Sequence, residues 1–145
     1  QDLIQAFEDQ ALNRDFIAVL PYQGPSAKGM PELHQLTPTL TILQKRGFRV
    51  ALVTDGRMSG ASGKVPAAIH MTPEANQGGC IGKIKTGDQL ILDCRQGTLN
   101  CLEPDFENRK ILTKPIEHQH GLGRELFGLF RKETSSAEAG ASILF

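Results

Sequence analysis

The chain has 145 residues, 39% of them hydrophobic, which is enough for one domain with its own core and no staple of disulfides or metals. Sixteen Lys and Arg balance sixteen Asp and Glu with no long block of either sign, which argues against nucleic acid or an anionic membrane surface as the main partner and leaves a small anionic ligand open. No apolar run approaches the roughly 18 residues of a membrane span, and three cysteines without C-x-x-C spacing suggest neither a disulfide framework nor a zinc ribbon.

Leu3, Phe7 and Ala11, with Ile4 and Ala6 beside them, recur at helical spacing, so a helix is predicted over residues 2–12. It is already in progress where the chain opens at Gln1, and a partner domain preceding it in a longer protein is therefore expected. Residues 16–20 are a short apolar run of strand formers, suited to a strand covered on both faces. The Gly and Pro of residues 21–32 make the next stretch a loop with a fixed path. Thr37 reads as a hydroxyl cap with Pro38 at the first helical position, and Gly47 as the matching stop. Lys45 and Arg46 fall at the end of that helix, where its dipole favours cations. Residues 48–54 are the second strong strand, and strand, loop, helix and strand together predict a βαβ unit with a parallel pair.

Residues 82–94, a turn at 95–97 and residues 98–102 alternate in short runs and read as an antiparallel meander, with Cys94 and Cys101 as small buried apolar side chains. A last helix is predicted over residues 122–132, with Leu122, Leu126, Leu129 and Phe130 on one face, before a tail ending in Ile143-Leu144-Phe145. The expected fold is α/β: two small sheets or a partly closed barrel, with flanking helices.

In open α/β sheets ligands bind outside the carboxyl ends of the strands. The loops at 21–32 and 55–64 leave two such ends of one βαβ unit, which predicts that Glu32 and Ser59 are neighbours in space. The second loop has the composition of a backbone cradle for an anion. It is not a nucleotide P-loop, because Met58 stands where the first glycine would be and Val65 where a Ser or Thr would hold magnesium. From residue types alone Ser59 is a turn residue, Glu32 a solvated acid and His70 a structural group. His118-Gln119-His120 is too weak a pair for a metal site.

Val50-Ala51-Leu52-Val53-Thr54-Asp55-Gly56-Arg57-Met58-Ser59-Gly60, followed by His70-Met71-Thr72-Pro73-Glu74-Ala75 and Gly78-Gly79, resembles the C-terminal signature of the dihydroxy-acid and phosphogluconate dehydratase family. The first loop agrees, since Tyr22-Gln23-Gly24-Pro25 with Gly29-Met30-Pro31-Glu32 is similar to the family's aromatic-x-G-P and G-M-P-E segment. The stretch 62–70, the stretch 23–28 and the ending Gly123-Arg124-Glu125-Leu126-Phe127 resemble the 6-phosphogluconate branch more than the branch making branched-chain amino acids. Pro21 departs from the pattern, since relatives often carry Arg before the aromatic.

The resemblance implies a swivelling β/β/α domain that completes an active site shared with an N-terminal domain of the same chain, in a cytoplasmic homodimer. It implies dehydration of 6-phospho-D-gluconate to 2-dehydro-3-deoxy-6-phosphogluconate in the Entner–Doudoroff route. Ser59 would then be the base that takes the proton, and Glu32 a magnesium ligand. The iron–sulfur cluster and the other magnesium ligands would lie outside this sequence. Removing a proton beside a carboxylate builds charge on a group already anionic, which calls for a hard cation, and a neutral Ser becomes a base only under nearby positive charge. For the phosphate end Lys28 and Lys64 are the candidates, with solvated surface lysine as the competing reading. Arg57 either joins them or braces its loop through Asp55. The alternatives are a dehydratase of a non-phosphorylated sugar acid or branched dihydroxy acid, and a non-catalytic module that binds anions.

Overall fold

The computed structural model describes residues 2–29, 31–58, 63–112, 121 and 124–144. In chain order the first elements are α1 (Asp2–Glu8), β1 (Phe16–Leu20), α2 (Pro25–Lys28), β2 (Glu32–Leu33), α3 (Thr37–Lys45), β3 (Val50–Thr54), β4 (Arg57–Met58) and β5 (Ala67–Ala68). The hairpin strands β6 (Leu90–Asp93) and β7 (Thr98–Cys101) and the short α4 (Gly128–Glu133) follow.

The predicted βαβ unit is present. β1 runs parallel to β3 in the register Phe16↔Val50 to Leu20↔Thr54, and β5 lies parallel on the other side of β3. All five residues of β3 are buried, as a central parallel strand requires. Side chains alternate across this sheet. Ala18, Val50 and Leu52 join Leu12, Leu40, Leu43 and Val65 beneath α1 and α3, while Val53 joins Tyr22, Ala27, Ala75 and Ile81 on the opposite face.

Two helix ends carry the same cap, and only one of them was legible. Past α3, Gly47 adopts φ 98°, and the Gly47 and Phe48 N–H groups donate to the Gln44 and Leu43 carbonyls, a Schellman motif at the expected stop. Past α1, Gln10 takes the glycine's place at φ 57°, with the Gln10 and Ala11 N–H groups donating to Phe7 and Ala6. The helix therefore ends at Glu8, short of residue 12. At the start of α3 the expected cap is also displaced: Leu36 holds the cap position, Thr37 is already helical, and no side chain caps the end.

The expected meander is a single hairpin, β6 against β7, in the register Leu90↔Cys101 to Asp93↔Thr98. Residues Cys80–Lys83 form a 3-10 helix instead of a strand, and a Cβ on Gly82 would stand 2.7 Å from Ile111, so this turn is packed too closely for a side chain there. Cys94 lies exposed in the hairpin turn and Cys101 half-buried at the end of β7, so the buried reading fails for Cys94. The strands form one three-stranded sheet and two two-stranded ladders, and among the described residues they close no barrel.

Arg109 fastens the hairpin's root. Its Nη1 lies 2.5 Å from Asp88 Oδ2 and its Nη2 2.8 Å from Asp105 Oδ1, with the Arg109 and Asp88 side chains only 8% exposed. Hydrogen bonds from Arg109 hold both carboxyls below the usual Asp range and raise the guanidinium's own value.

The predicted last helix begins as a 3-10 turn, Arg124–Phe127, and becomes α-helical only in α4. Leu122 lies outside the described residues. Leu126 and Leu129, expected on one helix face with Phe130, stand at 71% and 59% exposure and face solvent. Phe127 and Phe130 pair instead, ring centroids 6.1 Å apart, where the chain closes over Gly29.

Candidate active site

The carboxyl ends of β1, β3 and β5 open into three loops, and two buried carboxylates bind these loops together. Asp55 directly follows β3 and is fully buried. Its Oδ2 accepts from the N–H groups of Tyr22 (3.0 Å) and Ala75 (2.9 Å), and its Oδ1 accepts from Gln23 (2.7 Å). Tyr22 has φ 63°, a left-handed conformation uncommon for a non-glycine residue, which aims two successive N–H groups at one carboxylate. Its side chain is anchored as well, the hydroxyl donating to the Leu112 carbonyl.

Glu74 repeats the arrangement one loop away. Buried at 4% exposure, it accepts from the N–H groups of Ser26 (2.9 Å) and Ala27 (3.2 Å) in the first turn of α2. The loops approach so closely that glycine is required at the junctions. A Cβ on Gly24 would stand 2.6 Å from Glu74 Oε2, and one on Gly56 2.6 Å from Gln23 Cβ and 2.7 Å from its carbonyl.

Glu32 and Arg57 meet at the rim of this assembly. β2 pairs in parallel with β4 in the register Glu32↔Arg57 and Leu33↔Met58, and Arg57 Nη1 lies 3.8 Å from Glu32 Oε1. Both side chains are nearly half exposed, and such pairs contribute about 0.2–1 kcal/mol. Hydrogen bonds to a buried charge contribute about 1.5–3 kcal/mol each, so Asp55 outweighs the ion pair as the tie between these loops. Arg57 thus turns toward Glu32, and the brace expected between Arg57 and Asp55 gives way to backbone amides on the Asp55 oxygens.

The expected neighbour of Glu32, Ser59, lies outside the described residues; it follows Met58, the last residue of β4, in sequence. Lys28 closes α2 on the carboxyl side of β1. Lys64 is placed elsewhere. It precedes β5 in an exposed turn, and its carbonyl accepts from Gln44 Nε2 at the last turn of α3, level with the start of β3. The structure therefore brings Glu32 and Arg57 together and leaves Lys64 toward the amino end of the sheet. His70, with φ 56°, donates its N–H to the Gly56 carbonyl and leaves its ring exposed. The pair His118 and His120 lies outside the described residues.

Among the described residues no group of three or more His, Cys, Asp or Glu is arranged to hold a metal ion. Glu32 has the chemistry of a ligand for a hard cation, since its carboxylate is nearly half exposed and its 3.8 Å ion pair with Arg57 is loose enough to give way. Of the three cysteines, Cys80 and Cys94 are exposed and Cys101 lies at the end of β7. No described helix is long and apolar enough to cross a membrane.

Asp55 and Glu74 were missed by the sequence reading, which weighed Asp55 only as a partner for Arg57. A usable signal exists at Asp55, because a charge ending a continuous apolar strand must find donors when the strand is buried. At Glu74 we find no comparable signal.

The sequence model of the family described as "Dihydroxy-acid/6-phosphogluconate dehydratase C-terminal" matches residues 1–141. The chain is 54% identical to a phosphogluconate dehydratase of Pseudomonas aeruginosa over 141 residues, covering 96% of this chain and 23% of that protein. It is 52% identical to the Helicobacter pylori phosphogluconate dehydratase over 149 residues, covering 96% and 24%. A dihydroxy-acid dehydratase of Methanosphaera stadtmanae is 34% identical over 149 residues, covering 99% and 26%. The chain thus spans about a quarter of the length of the relatives it matches. With the family's two signature loops joined at Asp55, Glu74 and the Glu32–Arg57 ladder, the chain belongs to the dihydroxy-acid/6-phosphogluconate dehydratase C-terminal family.

Proposed function

We propose that this domain is part of a hydro-lyase that converts 6-phospho-D-gluconate to 2-dehydro-3-deoxy-6-phosphogluconate, a step of the Entner–Doudoroff route. The observation that carries the dehydratase reading is the parallel ladder of Glu32 and Arg57, which sets a carboxylate beside the strand whose chain continues into Ser59. Identity of 52–54% to phosphogluconate dehydratases, against 34% to a dihydroxy-acid dehydratase, favours the phosphorylated substrate.

On this reading Ser59 takes the proton from C2 of the sugar acid. Hydroxide leaves from C3, the two losses together make one water, and the resulting enol tautomerises to the 2-keto acid. Glu32 would hold one side of a magnesium ion, which when bound supplies positive charge against the anion that forms at C1 and C2. The Arg57 guanidinium, paired with Glu32 and two positions before Ser59 in sequence, adds positive charge to the same edge. Lys28, on the carboxyl side of the sheet, is the stronger candidate for the phosphate, with Lys64 the weaker by its position at the far end. Any iron–sulfur cluster would be held by the remainder of the longer protein, because the described residues here include no group of three or more His, Cys, Asp or Glu arranged to hold a metal. The family resemblance adds the swivelling domain type, the N-terminal domain, the cytoplasm and a homodimer to this proposal.

Full-length enzyme assayed with 6-phosphogluconate, gluconate, a pentonate and a branched dihydroxy acid tests the reading. The expected kcat/KM for the phosphorylated acid exceeds that for gluconate by about tenfold or more, the contribution of one or two charge-assisted phosphate contacts. A preference for an unphosphorylated acid would move the enzyme to another branch of the family. Absence of turnover on all four would favour an anion-binding module.

A further inference from the structure

We propose, resting on the function given above, that Asp55 is a positioning residue for the dehydration: its buried carboxylate sets the distance between the loop that carries Glu32 and the strand that carries Arg57 into Ser59. The ladder between those two segments is only two residues long on each side, Glu32–Leu33 against Arg57–Met58, and the ion pair beside it is open to solvent. Neither can fix a spacing by itself, because so short a pairing is marginal and an exposed pair is loose. The spacing must be set where the two segments leave the sheet.

Asp55 stands at that point. Tyr22 and Gln23 begin the loop leading to Glu32, Asp55 begins the turn leading to Arg57, and Ala75 comes from the loop after β5. One fully buried carboxylate thus holds N–H groups of both other loops, and Gly56 beside it lets the Gln23 backbone come to contact distance. A buried charge with three donors is rigid, since moving any one loop leaves an N–H or a carboxylate oxygen without a partner. Asp55 itself is sealed from solvent and touches no substrate; it acts through Glu32, Arg57 and the chain beyond them.

The consequence is kinetic. Misplacing reacting groups by about 1 Å costs on the order of 10²-fold in rate, whereas ground-state binding through other loops is retained. In the full-length enzyme, Asp55→Asn, which turns one acceptor into a donor facing N–H groups, should lower kcat about 10²-fold while KM changes less than about threefold. Arg109→Gln serves as the comparison for stability, since the Arg109 side chain binds Asp88 and Asp105 and none of the amides that meet Asp55. At a matched loss of melting temperature it should keep kcat. Gly56→Ala gives a second route to the same point, because its Cβ would press the Gln23 backbone away without altering any charge; it should show the same kcat-selective loss if Asp55→Asn does not fold. Hydrogen exchange of the Tyr22, Gln23 and Ala75 amides, measured on the same proteins, reads the tie without substrate. Equal kcat losses in Asp55→Asn and Arg109→Gln at equal stability, or a change confined to KM, would overturn the proposal. Should the wild type prefer another acid, the function proposed above fails, and the same kcat and KM comparison on the preferred acid still decides the role of Asp55.

Discussion

Glu32 stands directly opposite Arg57 in a parallel ladder, with its carboxylate 3.8 Å from the guanidinium. A cation bound at Glu32 would compete with Arg57 for the same oxygens. Glu32→Gln in the full-length enzyme keeps shape and one acceptor but removes the charge. Magnesium affinity is expected to fall about tenfold or more, equivalent to roughly 1.4 kcal/mol or more, with little change in melting temperature because the exposed pair contributes about 1 kcal/mol at most. Unchanged magnesium affinity in a calorimetric titration would return Glu32 to the role of a surface acid.

Ser59→Ala separates catalysis from loop structure. A structural hydroxyl would show as lost stability of about 1 kcal/mol. A base would show as a fall in kcat of about 10²–10⁴-fold, with exchange of the substrate's C2 proton for deuterium falling in parallel. We expect the second pattern. If exchange continues at the wild-type rate in a protein that melts early, the base is elsewhere.

Acid should loosen the hairpin. Arg109 lowers the proton affinity of Asp88 and Asp105 in the folded state, so the unfolded chain binds more protons and stability rises with pH through that range. The contribution is complete above about pH 4, the ordinary Asp value, and is lost as pH falls through the lowered folded values. Arg109→Gln should therefore be less stable than wild type at neutral pH and show a shallower loss as pH falls below about 4. Melting curves measured against pH test this; parallel curves for the two proteins would show that the pair does not couple to protonation.

Gly79 admits no side chain, since a Cβ there would lie 1.7 Å from the Pro73 carbonyl oxygen and 2.9 Å from that of Glu74. Gly79→Ala must displace the segment that carries Glu74 and Ala75. The expected result is a loss of several kcal/mol, on the scale of severe overpacking, with faster exchange at Ser26 and Ala27. A melting temperature within a degree or two of wild type would contradict this reading.

The parallel core was legible because its signals are local: continuous apolar runs at 16–20 and 50–54, and a glycine stop at Gly47. Where a residue of ordinary type took a special conformation the pattern misled, as at Gln10, whose left-handed turn ends α1 early. Alternation over residues 82–94 suggested more strand than forms, because close packing at Gly82 shapes a turn that no periodicity reveals. At the site, the nearness of the two loops followed from the βαβ topology, and Glu32 does meet the Arg57 strand. Lys64 was placed wrongly along the sheet, since composition does not say how far a loop descends before the next strand begins. Asp55 and Glu74 escaped notice because their donors are backbone amides far away in sequence, which no motif spells out.

The three donors to Asp55 come from positions 22, 23 and 75, so its burial cannot be completed until the chain on both sides of β3 has been laid down. Burying that carboxylate earlier would cost several kcal/mol of lost solvation, which makes its desolvation a late event in folding. Asp55→Asn should then speed unfolding and leave the folding rate nearly unchanged, with a φ-value near zero. The groups proposed for catalysis consequently come into register only at the end of folding, and a partly folded domain has no partly working edge to offer a substrate.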